Sequence, residues 1–133
     1  MATHTNYHSW GRTRGVRNLA GAHGTAGVTS DSAPAVTNGA LGYATQNQRF
    51  LHLHLDTDTS GETKTVTVLG YSHAFGRWAP LTDVRGNAVT TGAVVNTAAY
   101  KIFEIDGVDR VAFIVSTGAL DAANFFFAGC STF

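Results

Sequence analysis

The fold of this chain is decided by RFLHLHLDTDTSGETKTVTV, residues 49–68, which reads as a strand, a polar turn and a second strand. The first half alternates strictly with a period of two, as a β-strand does. Leu51, Leu53 and Leu55 therefore point to one side of the strand. The other side carries the residues in between, which are Phe50, His52, His54 and Asp56. Such alternation is typical of a strand with one face on a core and the other in water.

Further segments with β character follow at short intervals. They are residues 63–71, 78–81, 88–96, 100–105, 110–116 and 124–129. Gly, Asn, Asp and Ser separate these segments, and Asp106-Gly107 between two apolar runs predicts a tight hairpin. No ten-residue segment shows a convincing helical stripe. The sequence predicts an all-β fold, either an antiparallel β-sandwich or a jelly roll.

The first 42 residues differ in character from the rest. They are rich in Gly, Ala, Thr, Ser and Asn, with two aromatic residues, Tyr7 and Trp10. We predict an extended, mostly irregular N-terminal arm over residues 1–42 and a β-sandwich domain over residues 43–133. An arm of this composition buries little apolar surface of its own. We therefore expect it to lie on its own subunit, on a neighbouring copy or on another protein.

The composition excludes several classes of function. Charged residues make up 14% of the chain and the formal net charge is zero, which argues against a partner bound through its phosphates, such as a nucleic acid. Cys130 is the single cysteine, which excludes an internal disulfide, and we expect it to be a small buried hydrophobe. No signal-peptide pattern and no run of eighteen apolar residues occurs, so we expect a protein made in a cytoplasm with no membrane partner.

Two histidines one residue apart suggest a metal site. His52 and His54 share one face of the strand with their Cβ atoms roughly 7 Å apart, a spacing that suits a transition metal. His-x-His also occurs in cupin-type jelly rolls, and Asp58 follows where a carboxylate ligand would be needed. The remaining cupin pattern is missing. We interpret the pair as part of an exposed sheet face, since the leucine face already supplies the core.

The acidic turn resembles the first half of a calcium loop. Asp56, Asp58 and Ser60 alternate before Gly61, as hard oxygen ligands for calcium do. The bidentate acid expected at position 67 is replaced by Thr67. The same residue types form ordinary exposed hairpin turns, and we adopt that interpretation. The sequence thus predicts no metal and no cofactor, with His52, His54, Asp56 and Asp58 as the weak metal candidates.

Catalytic motifs are absent from the sequence. No phosphate-binding glycine loop and no Gly-x-Ser-x-Gly elbow occurs, and Ser72 and His73 point to opposite faces of a strand. We therefore predict that the chain is not an enzyme. Trp78, with Phe75 or Tyr71, offers an aromatic platform for a sugar ring, although a core tryptophan is the simpler interpretation.

Some strands are apolar on both faces. Residues 125–127 are three consecutive phenylalanines, residues 111–115 read VAFIV, and Phe133 ends the sequence. A sheet in a β-sandwich normally has one face buried in the core and the other exposed to solvent. Strands of this kind must be covered twice, by the core and then by a loop, the arm or a partner.

Three stretches carry a resemblance to known proteins: LHLHLD, KTVTVLGYSHAFGRWAPL and YKIFEIDGVDRVAFIV. Across residues 43–133 the chain resembles small all-β structural proteins of tailed-bacteriophage particles, especially head decoration or cement proteins. The resemblance implies a virion protein, a dimer or trimer of this chain that clamps major capsid or other virion subunits. Its implied partner-binding residues are Trp10, Arg12, Arg14, Arg17, Phe125, Phe126, Phe127 and Phe133.

Alternative functions remain open at this point. A carbohydrate-binding β-sandwich module and a cupin-like metal-binding protein are the two other classes. Within a virion, a tail or connector location is nearly as compatible as the capsid surface.

Overall fold

A computed structural model of the chain describes residues 7–9, 42–57, 61, 63–115 and 124–131. Within these ranges the chain forms eight strands. They are β1 (Tyr7–Ser9), β2 (Tyr43–Ala44), β3 (Phe50–Asp56), β4 (Val66–Ser72), β5 (Arg77–Pro80), β6 (Ala98–Glu104), β7 (Arg110–Val115) and β8 (Phe125–Ser131). The same ranges contain no helix that is long and apolar enough to cross a membrane.

The strands form two antiparallel sheets that pack face to face. Sheet A has the order β1-β8-β3-β6 and sheet B the order β2-β7-β4-β5. The first strand pairs with the last, β2 with β7, β3 with β6, and β4 with β5. This nesting is the strand order of a jelly roll, a long antiparallel ribbon wrapped into two sheets. The predicted antiparallel sandwich of jelly-roll type is confirmed.

The core lies between the two sheets. On β3, Leu51, Leu53 and Leu55 are fully buried while the intervening residues are only half-buried, so the predicted alternation is confirmed. The facing sheet contributes Val68 and Phe113, also fully buried. Burying one such side chain contributes roughly 1.5–3 kcal/mol relative to exposure. The leucine face of β3 is therefore a main source of stability in the fold.

The described part of the predicted arm lies on the chain's own sheet A. Tyr7 pairs with Ser131 and Ser9 with Gly129, so that β1 borders β8. β8 is consequently not an edge strand at these positions. Trp10, Arg12, Arg14 and Arg17 lie outside the described residues, as does Phe133 at the other end of the sequence.

The prediction of a hairpin turn at residues 56–61 is wrong. β3 belongs to sheet A and β4 to sheet B, so the segment between them crosses from one sheet to the other. Gly61 does have a positive φ of 72°, as the turn chemistry requires. Asp58 and Ser60 lie outside the described residues.

The prediction of a hairpin at Asp106-Gly107 is also wrong. The Ile105 N–H donates to the Arg49 carbonyl in sheet A, at 2.7 Å, while the Asp109 N–H donates to the Tyr71 carbonyl in sheet B, at 2.8 Å. Gly107 has a φ of 70°, so the turn residue is correctly identified. The turn forms a corner between the sheets, since β6 pairs with β3 in sheet A and β7 pairs with β2 and β4 in sheet B.

Residues 88–94 extend sheet B without forming a regular strand. Thr90 is bridged to Thr67 on β4, and Val94 to Lys64 just before it. Val89 is fully buried in the core. The predicted strand at residues 88–96 is therefore present only as isolated bridges.

The outer face of sheet B is apolar and buried. Leu69, Tyr71, Trp78 and Ala112 form a second cluster there, with Ile114 packed against it. Each of the first four is at most 9% exposed in the isolated chain. VAFIV is therefore buried on its inner face and largely buried on its outer face, where Ile114 is partly buried.

We predict that Leu53→Ala lowers the free energy of unfolding by about 2–5 kcal/mol, because it leaves a cavity in a fully buried layer. The control is Ile102→Ala on the opposite face of sheet A, where the side chain is 52% exposed. That substitution should cost less than about 1 kcal/mol. Urea denaturation of both variants measures the difference, and equal losses would contradict the assigned faces.

Candidate functional site

The outer face of sheet A is the open apolar surface of the described chain. Every second residue of β3 points outward there, beside residues from β6 and β8 in register. His52 lies opposite Ile102, and His54 lies between Tyr100 on one side and Phe127 on the other. We call this surface the aromatic face; it consists of Phe50, His52, His54, Tyr100, Ile102 and Phe127.

Exposure differs across the aromatic face. Tyr100 is 62% exposed and Ile102 is 52% exposed. The other four residues are half-buried. Exposed apolar side chains that adjoin one another are typical of an interaction surface rather than of random scatter.

His52 is held by hydrogen bonds at both ring nitrogens. Its Nδ1 lies 2.8 Å from the Tyr100 hydroxyl, and its Nε2 lies 2.8 Å from the Ser131 hydroxyl. Burial lowers the pKa of this imidazole below its usual 6.5, so the ring is neutral at pH 7. One nitrogen then donates and the other accepts, and the two hydroxyls complete the arrangement. His52 thus links three strands of sheet A.

His54 lies between two aromatic rings. Its imidazole stacks on Phe127 with centroids 6.0 Å apart and meets Tyr100 edge-on at 6.2 Å. Tyr100 in turn lies 6.1 Å from His52. The rings therefore form a continuous row across β8, β3 and β6. Such a row is pre-organised, because each ring is fixed by its neighbours.

A polar rim borders the aromatic face at one end. Arg49 donates through Nη2 and Nε to Glu104 Oε2, at 2.6 Å and 2.7 Å. The Arg49 side chain is 64% exposed, so this ion pair adds little stability. A shallow depression of about 230 Å³ lies beside it, bounded by Phe50, Ile102 and the loop at Val84. An apolar centre with a charged rim is the usual anatomy of a protein interface.

The described metal candidates, His52, His54 and Asp56, belong to no metal-binding cluster of described residues. No group of three His, Cys, Asp or Glu residues with metal-binding geometry occurs in the described ranges. Both nitrogens of His52 are already engaged by hydroxyl groups. Asp58 lies outside the described residues. His52 and His54 lie on the outer face of sheet A, where the sequence predicted an exposed sheet face.

Cys130 is buried in the core and chemically quiet. It is fully buried between the sheets, and burial raises the pKa of its thiol to about 12. Its Sγ donates to the Thr45 carbonyl at 3.3 Å. The prediction that Cys130 acts as a small hydrophobe is confirmed.

The aromatic platform proposed for a sugar is not accessible. Trp78 is 6% exposed and Tyr71 is 9% exposed, and their rings pack 5.4 Å apart in the second cluster. The interpretation of Trp78 as a core residue is confirmed. Phe75 is 66% exposed at the β4–β5 turn and is separate from that pair.

The three consecutive phenylalanines divide between the two sides of β8. Phe126 is fully buried, with its ring 5.1 Å from Phe113, so its side chain belongs to the core and not to a surface that a partner can reach. Phe127 belongs to the aromatic face. Phe125 pairs with Asp56 in the backbone register, and its side chain lies outside the described part.

Sequence reasoning missed the most exposed members of the aromatic face. Tyr100 and Ile102 were recognised as strand residues, without being assigned to a face. The signal was present in AAYKIFE, where apolar residues occupy both alternations of one strand. Only the pairing of β6 with β3 shows which alternation faces outward.

We predict that stability falls as the pH drops below about 6.5, the unfolded pKa of histidine. Because burial depresses the folded pKa of His52, the unfolded state takes up the proton first, so the stability present above pH 6.5 is lost toward the folded pKa. His52→Gln should remove this loss, whereas His54→Gln should retain it. Urea midpoints between pH about 7.5 and about 5 test this, and an unchanged slope in His52→Gln would contradict it.

Comparisons with known proteins supply no relative. No protein-family model, no curated protein and no solved structure matches this chain. Function must accordingly be assigned from the fold and from the geometry of the aromatic face.

Proposed function

We propose that this chain is a non-enzymatic virion structural protein, a capsid decoration or cement protein that docks through the aromatic face. The observation that carries the proposal is the exposure of Tyr100 and Ile102 beside a pre-organised row of rings. Aromatic and aliphatic residues at the centre of a patch supply most of the binding free energy in protein interfaces.

The jelly-roll order supports a short set of alternatives. Viral capsid proteins, lectins and cupins all use this architecture, so the fold alone does not decide between them. The cupin class needs a metal-binding cluster, and the carbohydrate-binding class was based on Trp78 and Tyr71. The described residues supply no such cluster and bury both rings. An assembly role remains the best supported of the three.

The size of the aromatic face favours repeated weak contacts. Three seven-residue strands about 4.8 Å apart, with a rise of about 3.3 Å per residue, span roughly 330 Å². A stable interface buries about 800 Å² on each partner. A single contact through this face is therefore weak, and a symmetric shell that presents many equivalent sites would raise the overall avidity. The proposal includes a dimer or trimer of this chain on the shell.

We predict that the purified chain co-sediments with virus particles assembled from the same genome, and that Tyr100→Lys raises its Kd by at least about tenfold. The substitution places a charge on the aromatic face, beside His52 and His54. Phe75→Lys is the matched control, because Phe75 is 66% exposed and lies outside the aromatic face. It should leave co-sedimentation unchanged.

Two outcomes would overturn the proposal. One is a chain that stays in the supernatant at every particle concentration. The other is equal co-sedimentation of the wild type and Tyr100→Lys, which would place the contact elsewhere.

A further inference from the structure

The free edge of sheet A is the long strand β6. In the described ranges β6 has β3 on one side and no strand on the other. The other edge strands are blunted: β1 has three residues, β2 has two, and β5 has four and ends in Pro80. A long exposed edge strand without proline is a template for pairing with another chain.

The hydrogen bonds between β3 and β6 show which backbone groups of β6 point to the open edge. The Thr57 N–H donates to the Thr97 carbonyl and the Ile105 N–H to the Arg49 carbonyl, so the odd-numbered residues of β6 bond to β3. The even-numbered residues therefore direct their N–H and C=O groups to the open edge. The Glu104 carbonyl there accepts from the Val84 N–H at 3.0 Å, which closes that end. Ala98, Tyr100 and Ile102 remain exposed and open.

Lys101 sets the charge that an added strand would meet. It lies between Tyr100 and Ile102 and points to the other side of the sheet, and it is exposed. Its Nζ lies near Gly92, 3.5 Å from where a Cβ of that residue would be. Within the described part of the chain, no carboxylate pairs with Lys101. An acidic residue opposite it would supply a favourable cross-strand pair.

A second copy of β6 fits this edge poorly. A two-fold axis that pairs Tyr100 with Ile102 of the other copy places the two Lys101 residues directly opposite each other. If the two-fold axis instead passes beside Tyr100, so that the two Tyr100 residues pair, the two Lys101 side chains lie diagonally opposite each other on the same face of the sheet. Like charges at these positions are destabilising in a sheet. Lys101 therefore acts against self-pairing, as lysines on edge strands commonly do.

We propose that β6 accepts an extended segment of a partner protein by strand addition, with the pattern apolar–acidic–apolar. The segment bonds to the backbone of Ala98, Tyr100 and Ile102, its apolar side chains extend the aromatic face, and its carboxylate lies opposite Lys101. Backbone hydrogen bonds then supply affinity while the alternate side chains supply specificity. The inference rests on the proposed function as a binding protein but uses the sheet edge, which the proposed function does not require.

The test uses the full chain labelled with ¹⁵N and two blocked peptides, Thr-Val-Glu-Val-Thr and Thr-Val-Lys-Val-Thr, titrated to millimolar concentration. We expect the glutamate peptide to shift the Tyr100 and Ile102 amide signals and to bind about tenfold more tightly than the lysine peptide. Lys101→Glu should reverse that preference. This reversal does not depend on any variant of the edge backbone.

Ile102→Pro should abolish peptide binding, because it removes an N–H that points to the open edge and is not used by β3. Ile102→Thr is the matched control, since it keeps the N–H and removes only apolar surface. Three results would overturn the inference: no shift at Tyr100 and Ile102 with either peptide, equal affinity for both peptides, or a dimer of the chain that Ile102→Pro dissociates.

The experiment also separates this inference from the proposed function. Tyr100→Lys changes the aromatic face and retains the β6 backbone, whereas Ile102→Pro removes an edge N–H, and Ile102→Thr controls for the apolar surface lost from the aromatic face. If the wild-type chain binds particles through Tyr100 but binds neither peptide, the strand addition alone is refuted. Peptide binding by a chain that never binds particles would refute the virion role alone.

Discussion

The pleat of β3 constrains the rest of the structure. Because side chains alternate along a strand, burying Leu51, Leu53 and Leu55 commits the histidines between them to the opposite face. A slip of one residue would place both imidazoles in the core, where burying a protonated ring or an unpaired ring nitrogen is costly. Because β3 lies between β8 and β6, its alternation also determines which side chains of these two strands face outward. The aromatic face is thus a consequence of how the core is filled.

The two sheets differ in whether the apolar residues on their outer faces are buried. Sheet B buries its outer cluster around Trp78 within the isolated chain. Sheet A leaves Tyr100 and Ile102 exposed and leaves the backbone of β6 open beside them. The exposed apolar residues of sheet A therefore do not reflect a general excess of apolar surface, since sheet B buries its outer cluster. The exposed aromatic face and the open strand edge of sheet A lie together along β6.

Sequence reasoning recovered local features better than pairings. The period of two in β3 determined the strand, its inward leucines and the outward histidine pair, since all these depend on one segment. Turn chemistry at Gly61 and Gly107 was also correct, because positive φ is a local requirement. Their roles as hairpins were wrong, because local geometry does not determine which sheet the next strand joins. The exposed side of Tyr100 and Ile102 depends on the same long-range pairing. The burial of Phe126 could not be predicted from the sequence, since it depends on strands distant in sequence.

The phase of the β3–β6 pairing is the central claim, and amide hydrogen exchange of the isolated chain tests it most directly. Residues 99, 101 and 103 should exchange slowly, because their N–H groups donate to β3. The amides of Tyr100 and Ile102 should exchange at least about a hundredfold faster, because they face the open edge. Slow exchange at Tyr100 and Ile102 with fast exchange at Lys101 and Phe103 would contradict the account, since it would place the opposite face of the strand toward the core.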